Sequence, residues 1–150
     1  MGYKPFARFM YVSTASATVT ATSDTTLIGS GVGNLTVLSG TFRAGNVLRL
    51  RAWGYYTSPA VPQTLQIKAK LGGTMICQMT AVAPPVLMTD AQWYAEADII
   101  CRGLGASGPF FGQGKVIFDQ GNALAAILCR MVTTATVAIG TNADRAVDLS

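Results

Sequence analysis

Hydrophobic and polar side chains alternate with a period of two along two stretches of this chain. In the first, Leu48, Leu50 and Ala52 alternate with Arg49, Arg51 and Trp53. Beyond a loop holding Pro59 and Pro62, Leu65, Ile67, Ala69 and Leu71 alternate with Thr64, Gln66, Lys68 and Lys70. Successive side chains on extended backbone point to opposite faces, so this rhythm predicts half-buried β-strands. Gly72-Gly73, between Leu71 and Thr74, predicts a hairpin turn, since glycine reaches the positive φ that tight turns require. In the second stretch, Trp93, Ala95, Ala97, Ile99 and Cys101 define one face and Tyr94, Glu96, Asp98, Ile100 and Arg102 the other.

The remaining segments read as shorter strands and turns. Thr18, Thr20 and Thr22 alternate with Val19 and Ala21, which predicts a strand of low bulk. Gly29-Ser-Gly-Val-Gly-Asn34 reads as a β-connection. Its glycines lack the GxGxxG spacing and precede the short strand Leu35–Leu38 rather than a phosphate-facing helix. Cys77 to Ala83 completes the hairpin's second arm, and Pro84-Pro85 ends it because proline cannot donate to a ladder. Gly103 to Pro109 is a loop, Phe110 to Gly114 re-enters the sheet, and Lys115 to Phe118 is the next strand. Asn122 to Val132 carries helical spacing at Leu124, Leu128 and Met131, but its β-rich surroundings favour a strand. Thr133 to Ile139 and Ala146 to Ser150 read as further strands, with a turn at Gly140 to Asp144. Eight or nine short strands, roughly, with Gly/Pro/Asn turns predict an all-β fold, an antiparallel β-sandwich that is jelly-roll-like. Residues 1–12 read as an N-terminal arm and 13–150 as a single β-sandwich domain.

Composition changes this picture in one respect. Charged residues are 12% of the 150, half the residues are hydrophobic, and mean hydropathy is +0.38. No apolar run is long enough for a membrane-spanning helix, and Met1 to Met10 lacks the apolar core of a signal peptide. Burial against other subunits is therefore the expected explanation of the hydrophobicity. The net charge of +4 comes from eleven basic residues scattered from Lys4 to Arg145, without a polybasic run, so nucleic acid is not the expected partner. Cys77, Cys101 and Cys129 fit no metal spacing and sit among apolar neighbours, as small buried hydrophobes in a chain assembled in a reducing cytoplasm.

Candidate chemistry is sparse. There is no histidine, which excludes histidine-based catalysis and histidine metal sites. Glu96 and Asp98 share a strand face about 6.5–7 Å apart, a separation that can serve glycoside hydrolysis or hold a hard cation. An outward polar face paired with arginine or lysine is the simpler reading. No GxSxG elbow, Walker loop or zinc spacing is present, so no catalytic, cofactor or metal residue is assigned and no enzyme is expected. Trp53, Tyr55 and Tyr56, before the Pro59/Pro62 loop, and Arg102, beside a glycine-rich loop, are the candidate partner or ligand contacts.

Two phrases carry a family resemblance: the strand Gly45-Asn-Val-Leu-Arg-Leu-Arg-Ala-Trp-Gly54 and the loop Ile100-Cys-Arg-Gly-Leu-Gly-Ala-Ser-Gly108. Within residues 24–150 the chain resembles small virion structural proteins of tailed bacteriophages, of the tail-fibre, head-fibre or decoration type. The resemblance implies a non-enzymatic jelly-roll protein on the particle surface, working as a homotrimer or other homo-oligomer. It would be assembled in the bacterial host cytoplasm and held to major capsid or tail proteins, without cofactor, nucleic acid or membrane. The resemblance also implies a further strand beyond Asp148-Leu149-Ser150, which is either missing here or replaced by a neighbouring chain. The alternative is a carbohydrate-binding module that uses Trp53, Tyr55 or Tyr56 for host glycans.

Overall fold

A computed structural model describes residues 10–20, 23–121, 126–133 and 135–150. Most of the expected arm, and residues 122–125 of the expected strand Asn122 to Val132, lie outside the described residues. Eleven strands and no helix occur among those described. They are β1 (Tyr11–Ser13), β2 (Gly31–Gly33), β3 (Thr36–Val37), β4 (Val47–Tyr56), β5 (Lys68–Leu71) and β6 (Thr74–Met79). There follow β7 (Ala91–Cys101), β8 (Gly108–Asp119), β9 (Ala126–Val132), β10 (Val137–Ile139) and β11 (Arg145–Leu149). The fold is all-β and antiparallel throughout. The main sheet runs β3-β11-β5-β6-β9-β8-β7-β4, with β10 also on β8, while β1 and β2 form a separate ribbon.

Three local rules build most of this sheet. Gly72 and Gly73, with φ of 59° and 76°, make the two-residue turn that joins β5 to β6. The long alternating segments pair over their full length, with Leu50 opposite Ala97 and Ala97 opposite Gly114. Strands β7, β8 and β9 follow one another as antiparallel neighbours, and β6 returns beside β9, which makes β6–β9 a Greek key. As in a jelly roll, the first strand of the body, β3, lies beside the last, β11; the β5–β6 hairpin is inserted next to them.

The sheet curls around one core. Val37 from one end of the strand order and Leu48 and Leu50 from the other pack on the same cluster, with Phe110, Phe118 and Met131 at its centre. Phe42, in the turn before β4, meets Phe110 edge-to-face with ring centroids 5.1 Å apart. Where β9 departs from β6, Thr133 joins β6 to β8: Gly112 N–H donates to its Oγ1, which lies 2.7 Å from the carbonyl oxygens of both Ile76 and Gly112. All three cysteines are buried and unbridged, and burial pushes the Cys77 thiol up to about 11.

Several expectations are corrected. Thr18 to Thr20 are exposed and outside any strand, because small side chains with nothing to cover give extended backbone no reason to pair. Ala21 and Thr22, the rest of that expected strand, lie outside the described residues. Gly31 to Gly33 is a strand rather than a connection. A Cβ on Gly31 would sit 2.2 Å from the Val12 oxygen and 2.5 Å from the Tyr11 ring, so only glycine lets β2 approach β1 so closely. That ribbon takes in Tyr11 and Val12, the last two residues of the expected arm. Gly112 and Gly114 interrupt nothing, and β8 runs unbroken from Gly108 to Asp119. A Cβ on Gly114 would lie 2.2 Å from the Glu96 oxygen, and one on Gly112 would meet Ile76 and Cys77. Finally, β11 is an interior strand, paired with β3 on one side and β5 on the other, so the strand beside Ser150 is no sheet edge.

The segment entering the body is tied down electrostatically. Asp24 accepts from Lys70 Nζ at 2.6 Å and Lys68 Nζ at 3.3 Å on the outward side of β5. The Lys70 ammonium, above all, holds the Asp24 carboxyl down at about 2, against an ordinary 3.8. A depressed carboxyl pKa stabilises the fold above the unfolded value, and that contribution is lost as pH falls through about 2. An NMR titration of Asp24 should therefore show a midpoint near 2 that moves toward 3.8 in Lys70→Met. A midpoint near 3.8 in the parent chain would rule out the tether.

Candidate functional site

Alternation and register together place a patterned surface on the outside of β4, β7, β8 and β9. Outward side chains on neighbouring strands line up in rows across the sheet. One row is Trp53, Tyr94, Ile117 and Leu128, taken from the four strands in turn. The row next to it is Arg51, Glu96, Lys115 and Arg130. Beyond that, Arg49 stands opposite Asp98, Asp98 opposite Gln113 and Gln113 opposite Val132. Val47, Ile100 and Phe111 close the pattern as a second apolar row. A charged band is thus flanked by two apolar rows.

The first apolar row is open to solvent at both ends. Trp53 is 75% exposed, Leu128 63%, and Tyr55, two residues along β4 on the same face, 67%. Adjacent strands are about 4.8 Å apart, so four strands make a row roughly 15 Å wide. Aromatic residues with this much exposure are the usual anchors of protein contacts.

The charged band is mostly self-satisfied. Arg49 grips Asp98 with two donors, Nε at 2.7 Å and Nη2 at 2.9 Å. Glu96 accepts from Tyr94 Oη at 2.7 Å and stands 3.4 Å from Arg49 and 3.6 Å from Arg51. The Tyr94 hydroxyl, then the arginines, hold the Glu96 carboxyl below its ordinary value. Tyr94 is correspondingly shifted upward by Glu96. A general acid of a glycosidase needs the opposite shift, so Glu96 is suited to ion pairing rather than proton delivery. Four cations, Arg49, Arg51, Lys115 and Arg130, face two carboxylates, leaving the band positive by two. A shallow, open hollow of about 250 Å³ lies between Glu96, Asp98, Lys115 and Arg130. Among the described residues no group of three or more potential ligands could hold a metal ion.

The residues singled out in the sequence are not brought together as a set. Trp53 and Tyr55 lie side by side on the outer face. Tyr56 faces inward: its hydroxyl donates to the Asp119 carbonyl, its ring meets Phe118 edge-on at 6.0 Å, and burial raises its pKa. It is a packing residue, removed from the surface by the same alternation that exposes Tyr55. Arg102 is exposed but follows the far end of β7, at the end of the sheet where β4 begins. Seven strand residues separate that end from Trp53, roughly 24 Å. Tyr94, Ile117 and Leu128 escape sequence reasoning, because each looks ordinary alone and only the cross-strand register makes them a row with Trp53.

Compared with protein-family models, with curated proteins and with solved structures, the chain matches none.

Proposed function

We propose that this chain is a non-enzymatic structural protein of a bacteriophage particle, working as a homo-oligomer on the capsid surface or in a tail or fibre. The row Trp53–Tyr94–Ile117–Leu128 carries the assembly part of this reading, being a continuous outward-facing strip, largely apolar and exposed at both ends, across four strands of the sheet. Covering it with protein accounts for the high mean hydropathy, together with exposed Val32, Leu38, Val61 and Leu87 elsewhere. The virion part rests on the resemblance of the Gly45–Gly54 strand and the Ile100–Gly108 loop to phage structural proteins. Major capsid or tail proteins are the partners in this reading, and the particle is its location.

The test is the copy number of the chain in density-banded particles of a phage that encodes it. Structural stoichiometry, with impaired stability or adsorption when the gene is removed, is the expected result. Normal particles without a trace of the chain would overturn the virion assignment. A second reading, attachment to host glycans, is favoured by Trp53 and Tyr55, which form an exposed aromatic pair about 7 Å apart along one strand. Glycan binding lost on Trp53→Ala would select that reading; no binding by the intact oligomer would remove it.

A further inference from the structure

The two edges of the main sheet differ sharply. At one end, β3 is two residues long. At the other, β4 runs ten residues without proline or lysine, and among the described residues only β7 pairs with it. Natural sheets blunt exposed edges with short strands, lysine, proline or bulges, because an open ladder invites another chain. β3 follows that rule by its length, whereas the long β4 has only the charges of Arg49 and Arg51 to discourage pairing.

The free half of the β4 ladder can be assigned residue by residue. Cys101 N–H donates to Asn46 O, which fixes the bonding phase of β4 against β7. Bonded pairs then recur every second residue, so Leu48, Leu50, Ala52, Gly54 and Tyr56 bond β7. The backbone groups of Val47, Arg49, Arg51, Trp53 and Tyr55 therefore face outward along the edge. The inward side chains Leu48, Leu50 and Ala52 are only half-buried, as expected where a sheet lacks its next strand.

We propose that β4 pairs antiparallel with β4 of a second copy about a twofold axis at Ala52. The inference rests on the homo-oligomer reading and names the contact. Twofold pairing must join outward-bonding residues to one another, which leaves three central registers. Centring on Arg51 sets Arg51 against itself, and like charges directly opposed are destabilising. Centring on Trp53 shortens the overlap and leaves Leu48 and Arg49 beyond it, both of which the Ala52 register keeps. Centring on Ala52 places Arg51 opposite the partner's Trp53 and Arg49 opposite the partner's Tyr55, so each guanidinium meets an aromatic ring. On the inner face, Ala52 meets Ala52 and Leu50 meets the partner's Gly54, the position over which the Trp93 ring already lies. Leu48 meets the partner's Tyr56. Every outward arginine has an aromatic counterpart and every bulky inner residue a compatible one, so the strand is complementary to itself. Such a contact extends each sheet into its partner's, and the exposed Trp53 and Tyr55 become interfacial. A twofold contact generates dimers or even-numbered assemblies rather than a simple trimer.

Cysteine crosslinking of the full chain tests the register. The native thiols are buried, so background coupling is low. Ala52→Cys should form a disulfide-linked dimer rapidly under mild oxidation, because a non-bonded antiparallel pair sets the two Cα atoms about 4.5 Å apart. Leu48→Cys should not link to itself, its two copies being roughly 27 Å apart. Arg49→Cys mixed with Tyr55→Cys should give a heterodimer where neither alone couples; both positions are exposed, so these variants keep the fold if Ala52→Cys does not. Ala52→Cys coupling no faster than Leu48→Cys, with the mixed pair equally slow, would overturn the β4 contact. If the parent chain is then still oligomeric, the assembly reading stands without this contact; if it is monomeric, both fall.

Discussion

Phe110→Ala should destabilise the folded chain by about 3–5 kcal/mol, enough to remove a large part of the stability of a domain this size. Phe110 is fully buried, meets Phe42 edge-to-face and lies on β8, where its pairing with Val137 of β10 and with Cys101 of β7 fixes the centre of the curl. Truncation removes the ring's transfer free energy and leaves a cavity that two flanking strands cannot collapse into. Its neighbour Phe111 points the other way and is only half-buried, so Phe111→Ala should cost far less. Urea unfolding of the two variants checks this, and equal losses would contradict the assignment of faces on β8.

Trp53→Ala should act on assembly and spare the fold. The side chain is 75% exposed in the isolated chain, so its removal leaves no cavity in the monomer core. A buried tryptophan at an interface typically contributes about 2 kcal/mol or more, a 30-fold change, roughly, in the association constant. The variant should therefore dissociate at a concentration tens of times higher than the parent while its dissociated form unfolds at the parent's urea midpoint. Sedimentation equilibrium and urea melts separate the two effects. A large loss of monomer stability with unchanged association would place Trp53 in the fold rather than in the contact.

The elements legible in the sequence are those where one face is buried and the other is not. The alternation Leu48-Arg49-Leu50-Arg51 became β4 and Ala95-Glu96-Ala97-Asp98 became β7 because burial on one side leaves its period in the text. Gly72-Gly73 announced its turn because two successive positive-φ positions admit little else. Glycine was otherwise misleading: at Gly31, Gly112 and Gly114 it marks close approach of another strand, information held by residues far away in the chain. Thr18 to Thr20 had strand propensity without a face to bury, and propensity alone did not make a strand.

The candidate surface was half legible. The period of two that runs through β4 puts Tyr55 and Tyr56 on opposite faces, and it assigns Tyr56 to the core side with Leu48, Leu50 and Ala52. Trp53's companions could not be read, since a row across four strands depends on registers that no single strand encodes. The open edge was not legible either, because the strand order β3-β11-β5-β6-β9-β8-β7-β4 is a property of the whole Greek-key path. The resemblance pointed to a missing or borrowed strand beside Ser150, whereas among the described residues the long unpaired edge is that of β4.

In the assembly we propose, further copies of the chain cover the exposed apolar row and the β4 edge. Solution mass by light scattering of the full chain, measured across a dilution series at micromolar concentrations, tests it most directly. The expected mass is a multiple of 15.7 kDa at the top of the series and falls toward that value on dilution, with the fall displaced to higher concentration by Trp53→Ala. A constant mass of 15.7 kDa at every concentration would contradict it and leave Trp53, Tyr55 and Leu128 as surface held open for a different partner.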